Sequence, residues 1–191
     1  MKSDIIRVST KYDATADVLD QAERVAEYQG LSHKASLHLR LLAEEMMCMM
    51  RAIAGDVSGE FWIQNKRSHY ELHLLVETTM DARKREQLLS ASTTGENEAN
   101  RGFMGKIRAF FEPMEDVPVY FECQPDSMYQ EMSWTMAGYQ QKLKNDMELN
   151  RKGAREAWDE LEKSVIAHIA DDVKVSIRGH EVEMTVYKVL D

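Results

Sequence analysis

The sequence predicts an α+β domain: a mixed, mostly antiparallel sheet covered on one face by helices, two layers in all. Three observations carry this. The tail alternates, with Val173, Val175 and Ile177 set against Lys174, Ser176 and Arg178, then Gly179, then Val182, Met184 and Val186 set against Glu181, Glu183, Thr185 and Tyr187. That is a half-buried antiparallel hairpin. A second hairpin lies at 61–77, where two β-type runs meet at Arg67-Ser68. Around these hairpins the apolar spacing is helical, and hairpins with helices gathered between them pack as a two-layer sandwich.

The elements follow in order. Residues 5–8 (Ile-Ile-Arg-Val) form a short strand. Residues 16–29 have helical spacing, with Val18, Ala22, Val25 and Ala26 on one side, and Gly30 follows as a C-terminal cap over which Leu31 packs. Ser32 or Ser36 then caps a second helix that runs to about Ala54. Leu37, Leu41, Glu44/Glu45, Cys48 and Ile53 lie along one stripe of it. The runs 61–66 and 70–77 are the first hairpin. In the second run Tyr70, Leu72, Leu74 and Val76 alternate with Glu71, His73, Leu75 and Glu77.

Residues 80–91 are rich in helix formers, 92–100 read as a polar loop, and 102–112 as a short helix. All three prolines fall between Pro113 and Pro125, so that stretch is a connection with an edge strand at 119–122. From 127 to 170 the pattern is helical again, broken at 145–153, and the last helix buries Trp158, Leu161, Val165, Ile166 and Ile169. One domain over residues 1–191 is the expectation, with 80–157 as a lid or helical insertion.

Composition narrows the function classes. Asp and Glu outnumber Lys and Arg 33 to 24, for a net charge of −9, and no basic block occurs. A duplex reader needs a basic face, so nucleic acid and anionic membranes are poor partners. Two cysteines, Cys48 and Cys123, make neither a disulfide framework nor a thiolate zinc site. With no apolar signal core near the N-terminus, a cytoplasmic location is expected.

The order strand, helix, Gly-Leu turn, long acidic helix, hairpin, and closing helix and strand pair resembles the ATP-binding domain of the histidine-kinase-like (GHKL) ATPases. The anti-sigma-factor serine kinases are the nearest branch in layout. The resemblance covers about residues 5–79 and 158–190, and it implies a Bergerat-like sheet. In that family a helix Glu orients or deprotonates the nucleophile, and an Asn four residues later ligates Mg²⁺. Here Glu45 stands at the first position and Met49 at the second. A thioether is a soft donor and Mg²⁺ wants hard oxygen, so ordinary Mg-ATP chemistry is disfavoured. The family's Asp-x-Gly-x-Gly segment falls on 76–81, which has no glycine, with Glu77 nearest to its Asp. Its Gly-x-Gly turn is approximated by Gly102 and Gly105, one residue too far apart.

The bland alternatives are a solvated helix face for Glu44 and Glu45, a strand-end acid for Glu77, and a plain helix start for the glycine pair. His69, Glu71 and His73 share one side of a strand, but a polar face explains them better than a metal does. Met46, Met47, Met49 and Met50 are core by default and a partner surface otherwise. Two functions remain open. One is a regulator acting by protein contact, with a transcription-regulatory factor as the implied partner, without a resident cofactor and with weak or absent ATP binding. The other is an ATP-dependent serine/threonine kinase with divergent motifs and Glu45 as base. A homodimer through the Met-rich helices is a further option.

Overall fold

The computed structural model describes residues 1–10, 13–53, 57–77, 132–178 and 181–190. In chain order the described elements are β1 (Ile6–Ser9), α1 (Thr15–Gln29), α2 (His33–Ile53), β2 (Ser58–Lys66), β3 (His69–Glu77), β4 (Met132–Thr135), α3 (Met136–Glu148), α4 (Ala154–Glu162), α5 (Val165–Ile169), β5 (Asp172–Arg178) and β6 (Glu181–Val189). The expectations for 80–131 fall outside the described residues.

The strands form one six-stranded sheet in the order β1-β2-β3-β6-β5-β4. Every pairing among them is antiparallel, so no parallel component of the expected mixed sheet is found among the described strands. The hairpins β2–β3 and β5–β6 sit side by side, joined through the central pair β3–β6. Arg67 adopts a left-handed conformation (φ 58°) at the first turn. Residues 1–3 continue alongside β2, with the Ser3 N–H donating to the Ile63 carbonyl at 2.8 Å.

Alternation divides the sheet into two sides. Phe61, Ile63, Tyr70, Leu72, Leu74, Val76, Val173, Val175, Val182, Met184 and Val186 are buried together with residues from all five helices in one hydrophobic cluster. The described helices therefore cover one face, as the two-layer prediction requires.

Helix α1 ends as expected. Gly30 takes φ 65°, and the Leu31 N–H donates back to the Ala26 carbonyl at 2.9 Å. Ser32, rather than Ser36, caps α2, its Oγ accepting from the Ala35 N–H at 3.2 Å. The buried side of α2 runs through Ala35, Leu39, Leu42, Ala43, Met46, Met47, Met49 and Met50. The stripe through Leu37, Leu41, Glu44 and Cys48 is the outer one, with Leu37 45 % exposed. At about 100° per residue, positions 46, 47, 49 and 50 occupy roughly 160° of the helix circumference. One broad face thus buries all four methionines, and Cys48, opposite the middle of that arc, is exposed.

Two expectations for the helical stretch are corrected. Residues 132–135 form an edge strand against β5, not the start of a helix. Thr135 holds extended geometry and its Oγ1 accepts from the Gly138 N–H at 3.1 Å, so the helix begins only at Met136. The stretch ending at Ile169 is also not one helix. Ser164 is extended between α4 and α5, which resets the helical phase and leaves Val165 exposed while Ile166 is buried.

Candidate functional site

The resemblance directs attention first to α2. Met49 is 1 % exposed and belongs to the hydrophobic cluster. The position at which the resemblance implies a metal ligand holds a core side chain. Glu45, one turn earlier, lies beside the edge of the buried arc and is half-buried. Its carboxyl is raised above the ordinary 4.5, first by desolvation and then by the neighbouring Glu44 carboxylate. A raised carboxyl beside an apolar margin can exchange a proton, but no oxygen donor stands at the i+4 position to hold a cation with it.

The other positions do not join this pair. Glu77 is exposed at the end of β3, opposite Ser58 on β2 and Glu181 on β6. Gly102 and Gly105 lie outside the described residues. Met46, Met47 and Met50 are core, so these methionines offer no surface to a partner.

A different cluster lies on the side of the sheet that none of the described helices covers. Counting outward from the Arg67-Ser68 turn sets Trp62 on β2 opposite His73 on β3, and β6 places Thr185 on the far side of His73. The indole and imidazole rings lie parallel, 4.8 Å apart and 6° from coplanar. The Lys2 ammonium sits 4.6 Å from the centre of the Trp62 ring. His73 has Nδ1 2.9 Å from a Glu183 oxygen and Nε2 3.3 Å from a Glu71 oxygen, and Thr185 Oγ1 lies 3.3 Å from Nδ1. Its side chain is only 13 % exposed. Next to this group the Tyr187 phenol is raised, by burial first and then by the Glu71, Asp172 and Glu183 carboxylates around it.

The expected trio of His69, Glu71 and His73 is thus only partly assembled. His73 and Glu71 meet, and Glu183 completes the group from another strand. Among the described residues no set of three or more His, Cys, Asp or Glu side chains is placed to hold a metal ion. Sequence reasoning missed Trp62, Glu183, Thr185 and Tyr187 as one cluster. The tight turn carried the signal for Trp62 opposite His73, but nothing local says that β6 pairs with β3.

No protein-family model matches the chain, and no curated protein matches it. Among the described residues no helix is long and apolar enough to cross a membrane.

Proposed function

We propose that the chain is a regulatory protein that keeps an ATPase-like scaffold and acts mainly by protein contact, with nucleotide binding weak or absent. One observation supports this above the others: Met49, at the position of the family's magnesium ligand, is a 1 % exposed member of the core. Mg²⁺ demands oxygen ligands in near-octahedral array, and a thioether sealed among apolar side chains supplies none. The resemblance to the anti-sigma branch suggests a transcription-regulatory factor as the partner. The acidic balance speaks against nucleic acid. A cytoplasmic setting fits the two-cysteine composition. Calorimetric titration with ATP and ADP in Mg²⁺ tests the reading. Heats too small to fit are expected, and micromolar binding with phosphate transfer would sink it.

A second reading is favoured by Glu45 alone. Its half-buried, raised carboxyl is what a proton-accepting group in a divergent serine/threonine kinase needs. That reading requires Glu45→Gln to abolish turnover while the fold survives. A wild-type chain that turns over no nucleotide across a broad metal screen removes it.

A further inference from the structure

We infer that His73 is a proton-operated joint between the two hairpins: with its ring charged it links Glu71 to Glu183, and with its ring neutral it exchanges Glu183 for the Thr185 hydroxyl. This goes beyond the protein-contact reading and does not depend on it.

Donor counting comes first. An ionised carboxylate only accepts hydrogen bonds, a neutral imidazole has one N–H, and an imidazolium has two. His73 meets a carboxylate oxygen at each ring nitrogen, Glu183 at 2.9 Å from Nδ1 and Glu71 at 3.3 Å from Nε2. Only the charged ring donates to both. Once one nitrogen gives its proton to solvent, its lone pair faces a carboxylate oxygen, and that contact has to open.

Geometry selects which contact opens. Thr185 Oγ1 lies 3.3 Å from Nδ1, whereas Glu71 at Nε2 can only accept. Thr185 is 6 % exposed and also hydrogen-bonds the Tyr187 phenol. A phenol O–H can donate, so with Tyr187 donating to the Thr185 oxygen, the Thr185 proton turns to Nδ1. The neutral ring is then paired at both nitrogens: Nε2–H donates to Glu71, and Nδ1 accepts from Thr185. Glu183 is let go. A neutral ring protonated at Nδ1 instead would set its Nε2 lone pair against Glu71.

The Trp62 indole lies parallel to the imidazole at 4.8 Å and obstructs turning the ring over, so the exchange takes a hydroxyl rotation and a movement of Glu183. Other charged or titratable groups on the described strands around the ring are Lys2, which sits over Trp62, Glu60 on β2, Tyr187 on β6, and Asp172 and Lys174 on β5. Glu183 belongs to β6 and His73 to β3, so its departure removes a side-chain tie between the hairpins.

The test is long-range ¹H–¹⁵N correlation of the imidazole rings in the full chain from about pH 5 to about pH 9, a range that spans the ordinary charge change of an imidazole. His73→Gln assigns the ring signals, and the Glu183 side-chain carboxyl carbon is followed in the same samples. Both His73 nitrogens are expected to carry protons at the acid end and Nε2 alone at the alkaline end. The Glu183 carboxyl signal should shift with the same midpoint as the ring. Thr185→Val removes the waiting donor, so its neutral ring should keep the proton on Nδ1, toward Glu183.

Four results would overturn the inference. They are a ring that is neutral at the acid end, a wild-type alkaline form protonated at Nδ1, a Thr185→Val protein with the wild-type tautomer, and a Glu183 signal that does not follow the ring. The Glu183 signal is read on the wild type, so it decides the matter even where Thr185→Val does not fold.

Discussion

Trp62 and His73 face each other across β2 and β3 with parallel rings 4.8 Å apart. Cross-strand pairs of this kind stabilise a sheet directly, and stacking adds to the area that each ring buries. His73 also ties β3 to β6 through Glu183 at 2.9 Å. His73→Ala should therefore cost about 1–2 kcal/mol of unfolding free energy in urea. Glu183→Ala in the His73→Ala background should cost clearly less than it does alone, because the two residues share one interaction. Additive losses in the double-mutant cycle would show that the contact contributes little.

Gly59 tests the close approach of the first hairpin. A Cβ built there runs into the Leu75 carbonyl oxygen, with the Leu75 carbonyl carbon at 3.2 Å and the Val76 Cα at 3.3 Å. These are backbone atoms of the paired strand and cannot swing aside. Gly59→Ala should destabilise by about 1–3 kcal/mol, as overpacking does. A melting temperature equal to wild type would mean that β2 and β3 part freely at that end.

Asp171 supplies a pH dependence. Burial alone raises its carboxyl, but the Lys188 ammonium at 2.7 Å and the Val189 N–H at 2.6 Å outweigh that, and the net direction is below the ordinary 3.8. A depressed carboxyl stabilises the fold fully above its unfolded value and loses that contribution as pH falls through the folded value. Asp171→Asn should lower stability at neutral pH and flatten the loss between about pH 5 and pH 2. Parallel acid limbs for the two proteins, measured by denaturant unfolding, would contradict this.

Glu45 carries the opposite sign. Its raised carboxyl means that the fold disfavours the ionised form. That penalty is absent below the ordinary value of 4.5 and grows as pH rises through the raised folded value. Glu45→Gln should raise the melting temperature slightly at neutral pH and leave it unchanged in acid. A less stable Gln variant at neutral pH would mean that the carboxylate has a partner of its own.

Much of the fold was legible locally. Alternation and the two-residue turn specify β2–β3 and β5–β6, and the Gly30-Leu31 pair marks the end of α1. The strand at 132–135 was not legible, because Met-Ser-Trp-Thr runs straight into a helical pattern and Thr135 serves both elements. The four methionines of α2 were legible as core, and they are buried. Together with several small residues they form a broad apolar arc, and the stripe through Leu37 and Cys48 lies on the opposite side of it. Of the candidate site, Glu45 and Met49 could be placed from the helix alone. The cluster at His73 could not, since it needs three strands brought together by a non-local pairing.

Met49→Asn is the most direct probe of the proposed function, because it puts at a core position the ligand type that the resemblance implies. Unfolding in urea with and without Mg-ATP is the measurement. The loss of a buried side chain together with the burial of an amide predicts destabilisation of about 2–5 kcal/mol, and no shift on adding Mg-ATP. A Met49→Asn protein as stable as wild type, and stabilised further by Mg-ATP, would contradict the account and make Glu45 and position 49 a working nucleotide site.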